Sequence, residues 1–183
     1  MDMKRIKLHV VLISFILVLV LGLVGQSYIH QSRVVEPLVR DLKDVYGVEE
    51  VSFVKAGRMV QVRLSDDAYL AETVPTVQRI IQSYGDFSLV LLDKPTPSAQ
   101  RAFQHMMFVV EEAVAQGSFQ SMEAGVKEIA EEYGLSLTIA LDRSYIYLQL
   151  SEGADNDEGQ LIRVISRGSA PAIQTIAQRE VTA

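Results

Sequence analysis

The chain has 183 residues, 49% of them hydrophobic and 22% charged, with a formal net charge of −6 and no cysteine. The missing thiols exclude disulfides, zinc–thiolate sites and cysteine nucleophiles. Charge is unevenly placed: Lys4, Arg5 and Lys7 against Asp2 give the first nine residues +2, which leaves −8 for the rest. An acidic body repels phosphate backbones, so nucleic acid is not expected as a partner.

The first element in chain order is LHVVLISFILVLVLGLVG at residues 8–25, apolar apart from His9 and Ser14. As a helix it would be about 27 Å long, close to a hydrocarbon core of about 30 Å, and it follows a basic tail at residues 1–7. The expectation is a transmembrane signal-anchor over 8–25, with the N-terminus cytoplasmic and the following domain extracytoplasmic. The run is long for a signal-peptide core, and no A-x-A-like site follows it, so an uncleaved anchor is favoured over a cleaved leader. A juxtamembrane linker at 26–34 leads to the domain.

Residues 35–93 read as a first half of order αββαβ. A helix to Tyr46 carries Leu38, Leu42 and Val45 on one face. Val51 and Phe53, then Val60, Val62 and Leu64, alternate with more polar neighbours as two half-buried strands, with Ala56-Gly57 as their turn. Asp66-Asp67 opens a second helical region, in which Pro75 suits the first turn of the main helix. Phe87 to Leu92 is nearly all apolar and suits an inner strand.

Residues 94–168 read as a second half of order ααβββ. Thr96 is the expected N-cap and Pro97 the first residue of a helix reaching Gln116. A second helix runs to Tyr133, followed by a hairpin of Leu137–Leu141 and Tyr145–Leu150 and by a strand from Leu161 to Ile165. Residues 169–183 read as a mobile, loosely helical tail. The expected fold is thus α+β: a transmembrane helix, then an exported α/β sandwich of two halves. DLKDVYGVEEVSF and IAEEYGLSLTI share a helix end, Tyr-Gly and a strand, and IIQSYGDFSLVLL echoes them. Either duplication or the common chemistry of helix-to-strand junctions accounts for this.

Signals for chemistry are sparse. His9, His30 and His105 have no ligand-spaced companions, and Asp155, Asp157 and Glu158 fail the calcium-loop pattern, with Gln160 and Ser166 where glycine and glutamate belong. Glu111-Glu112 and Glu131-Glu132 are adjacent pairs that diverge on a helix. There is no nucleophile elbow or phosphate-binding glycine loop. No catalytic residue, cofactor or metal is therefore expected, and the chain is read as a non-enzyme. Interaction features are richer. Met106, Met107, Phe108 and Val109 form an apolar block on the long helix, and Tyr145 and Tyr147 share one face of a strand. These six are the candidate interaction surface.

An anchor followed by αββαβ over residues 35–93 resembles the ring-building-motif proteins of bacterial sporulation channels and secretion systems. That resemblance rests on element order and covers about a third of the chain. It implies oligomerisation, the helices of one module packing on the sheet of the next. A ferredoxin-like similarity to single-pass assembly proteins of type II secretion and type IV pili implies the same role, although their long coiled coil is missing here. The expected function is a non-catalytic interaction or assembly component, partnered by itself or another envelope protein. The alternative is a module that binds or senses a cell-envelope ligand, with Tyr145 and Tyr147 lining its site.

Overall fold

Alternating apolar residues and tight turns build two separate sheets in this α+β chain. The computed structural model describes residues 12–19, 34–54, 58–152 and 159–177. The chain divides into two units, Met1–Arg40 and Asp41–Ala183. In the first, residues 12–19 are helical with exposed side chains. Among the described residues no helix is long and apolar enough to cross a membrane. This corrects the expected transmembrane helix over 8–25, whose remaining residues lie outside those described.

Helix α1, Glu36–Lys43, spans the boundary between the units. Strands β1, Val48–Val54, and β2, Met59–Leu64, form an antiparallel hairpin, its Ala56-Gly57 turn lying outside the described residues. Helix α2, Leu70–Tyr84, buries Leu70, Val74, Val77 and Ile81. It begins five residues before Pro75, which therefore lies inside the helix and not at its first turn. Strand β3, Ser88–Asp93, then runs parallel to β2.

The second half has helices α3, Pro97–Gln116, and α4, Phe119–Glu132. Strands β4, Ser136–Leu141, β5, Tyr145–Ser151, and β6, Gln160–Ser166, follow as an antiparallel meander. Residues 174–177, expected within a helical tail, instead form strand β7, Gln174–Ala177. It pairs parallel to β3, giving a first sheet of order β1-β2-β3-β7 and a second of order β4-β5-β6. Strand β3, apolar from Leu89 to Leu92, is thus an interior strand of its sheet.

Ile146, Leu148, Leu150 and Leu161 form a core with Ala99, Ala102, Met106 and Val110 of α3 and Met122, Val126 and Ala130 of α4. The opposite face of β5 is covered too: Tyr145, Tyr147 and Gln149 are all buried. Polar groups stitch this face to the first half. The Gln149 amide donates to the Asp66 carbonyl at 2.7 Å, and Asp93, at the end of β3, pairs with Arg163 of β6. Lys94 and Gln160 exchange two backbone bonds of 3.0 Å, so β3 meets β6 at a corner.

The three Tyr-Gly pairs share a role. Tyr46 donates to Asp67, Tyr84 to Asp41, and Tyr133 bonds the His105 ring at 3.1 Å. Each hydroxyl ties the end of its helix to another segment. Gly47 adds a close approach: its φ is +83°, and a Cβ there would lie 2.6 Å from that of buried Ala68. Only glycine meets both conditions.

Candidate interaction surface

Helix α3 is fixed at both ends by local chemistry. The Thr96 hydroxyl oxygen accepts from the Ala99 amide at 3.1 Å, while its hydroxyl donates to Glu152 at 2.8 Å. Gly117 ends the helix in the left-handed region. Small residues at Ala99, Ala102 and Ala113 let the helix settle onto β5, β6 and α4. Gly125 of α4 receives Val109 so closely that a Cβ would sit 2.9 Å from the valine methyl. On the other flank Arg163 lies over the Phe103 ring at 5.4 Å.

With this packing the helix divides cleanly. Met106 is fully buried in the core. Met107 and Val109 are half-buried. Phe108 is 77% exposed and Val114 42%. At 100° per residue, Arg101, Phe108 and Ala115 fall on one stripe, with Gln104, Glu111 and Glu112 beside it. All six are exposed. The result is a helix face with an aromatic centre, a cation toward its N-terminus and acids toward its C-terminus. His105 and Tyr133, edge to face at 5.6 Å, border it.

The sequence-derived surface does not come together as one patch. Tyr145 and Tyr147 are 5% and 0% exposed, and Met106 is 0%. These three are therefore corrected from partner-facing to interior. The alternation of YIYLQL signals a strand with one open face, but the returning segment before β7 covers that face: Tyr145 donates to the Pro171 carbonyl at 3.0 Å. Tyr147 donates to Asp142 at 2.8 Å. Burial, and then the Asp142 carboxylate, push the Tyr147 hydroxyl well above the usual tyrosine range. Gln149 shares the parity of the two tyrosines, a polar signal for a lined interior face. Asp155, Asp157 and Glu158 lie outside the described residues.

The sheet edges offer less. β1 carries exposed Glu49 and Glu50, has a register shift between Val48 and Glu50, and pairs Glu50 with Arg63 at 2.8 Å. Charge and irregularity of this kind blunt an edge against strand addition. β7 is only four residues long. β4 carries no charge, but α2 runs beside it. The α3 face is the clearest exposed apolar feature of Asp41–Ala183 among the described residues.

No protein-family model matches the chain, and comparison with curated proteins and with solved structures gives no match.

Proposed function

We propose that the Asp41–Ala183 unit is a non-catalytic protein-interaction module whose docking face is the outer side of α3. The observation that carries this is Phe108, a large aromatic held in water on a helix whose opposite side forms the core. Leaving such a ring exposed forgoes about 2 kcal/mol that burial would supply. Burying a large side chain at the centre of a contact, with polar groups around it, is how interface anchors work. An assembly role agrees with the αββαβ order that resembles ring-building-motif proteins. It differs in placing the contact on the second half's long helix.

The test is Phe108→Ser in the full chain. Because the ring contributes little to the core, the thermal midpoint is expected to stay within about 2 °C of wild type. Binding to the partner, whether the same chain or another, is expected to weaken at least tenfold, as for an interface anchor. A variant that binds as well as wild type would remove α3 as the docking face.

A further inference from the structure

We propose that the partner on this face is a second copy of the chain, packed antiparallel along α3 about a two-fold axis near Met107. The inference rests on the interaction reading above and deepens it. Its argument is the order of charges along the stripe. Arg101 lies about one and a half turns before the point midway between Met106 and Met107, Glu112 lies as far beyond it and Glu111 one residue nearer, with all three exposed. A parallel second helix would set Arg101 against Arg101 and Glu112 against Glu112. An antiparallel one sets Arg101 opposite the second copy's Glu112 twice over, once on each side of the axis, as an isologous contact requires. The helix dipoles also oppose favourably in that orientation.

The same register brings Phe108 to the second copy's His105, whose ring already meets Tyr133 edge to face. Each phenylalanine therefore lands on an aromatic platform. Glu112 accepts from the Gln116 amide at 3.0 Å through one oxygen, and a carboxylate has capacity for an arginine besides. One face of a 20-residue helix is about 30 Å long and about 10 Å wide, a contact of the weak, transient class. The expected state is a weak, concentration-dependent monomer–dimer equilibrium.

The experiment is sedimentation of the full chain over a wide concentration range, in a mild detergent that masks the apolar run at 8–25. Wild type should dimerise. Arg101→Glu and Glu112→Arg alone should each weaken dimerisation about tenfold or more, since two symmetric attractions become repulsions. The double variant R101E/E112R should return to within about threefold of wild type. All these side chains are exposed, so unchanged melting curves would confirm that each variant folds. A monomer at every concentration, or single variants that dimerise normally, would overturn the second copy as occupant. A photo-crosslinker at Gln104 in the source cells separates the two levels of the argument. Capture of the same chain supports the proposal. Capture only of a different protein overturns the self-pairing and leaves the interaction face standing. No capture at all overturns both.

Discussion

Asp142 shows how much one side chain can organise. One of its oxygens accepts from the Ser144 and Tyr145 amides at 2.6 and 2.7 Å, the other from the Tyr147 hydroxyl, and its carbonyl takes Arg167. Arg167 also lies 4.4 Å over the Phe119 ring, so the hairpin turn is fastened to the start of α4. Burial alone would raise the Asp142 carboxyl, but the Ser144 amide, Tyr147, the Tyr145 amide and Arg167 together hold it below the ordinary range. A depressed carboxyl stabilises the fold above its unfolded value of about 3.9, and that contribution fades as pH falls through the lower folded value. Asp142→Asn is therefore expected to cost about 1–3 kcal/mol at pH 7. Urea titrations should show the gap from wild type closing below about pH 4. A gap that stays constant down to pH 2 would show that ionisation of Asp142 is irrelevant. The Asp-Arg-Ser turn was legible from residue types alone. That both neighbouring tyrosines face inward was not, because Tyr145 is held by Pro171, distant in sequence.

At the scale of elements, the strands and the two long helices follow from periodicity and capping. Thr96, Pro97 and Gly117 mark the ends of α3 as directly in sequence as in space. What periodicity conceals is which polar residues become interior joints. Asp93 closes an apolar strand and reads as its polar terminus, yet it is 3% exposed and paired with Arg163. Its second oxygen has no bond among the described residues, so the guanidinium is its main compensation. Removing one member of a buried pair leaves a charge without a counterpart, which costs about 3–5 kcal/mol. Arg163→Met should lower the unfolding free energy by that amount. The double variant with Asp93→Leu should regain most of it, as replaced buried pairs often do. Chemical denaturation of both variants decides the matter: equal losses would mean that Arg163 acts through packing on Phe103 and not through Asp93.

Across the Asp41–Ala183 unit, sequence order and spatial order diverge at one place. The αββαβ and ααβββ halves are recognisable, but the first sheet takes its fourth strand from beyond the second half. No local pattern announces that, since β7 is four residues long and only Ile173, just before it, is a buried apolar residue of that segment. Val90 pairs with Gln174 across 84 intervening steps of chain. Parallel pairing over such a distance pays its loop-closure entropy before any contact repays it. A strand buried from Leu89 to Asp93 in the finished fold is therefore left with an open flank until β7 has been made. Until β7 arrives, SLVLLD presents a border that is apolar from Leu89 to Leu92, of the kind that nascent chains join by mistake. Pulse-labelling hydrogen exchange during refolding should find the β3 amides protected after those of β4–β6. Simultaneous protection of both sheets would show instead that the late strand only seals an edge already safe. Ordered this way, the whole ααβββ half acts as a timer: its length sets how long the chain depends on other means of keeping that border from its neighbours.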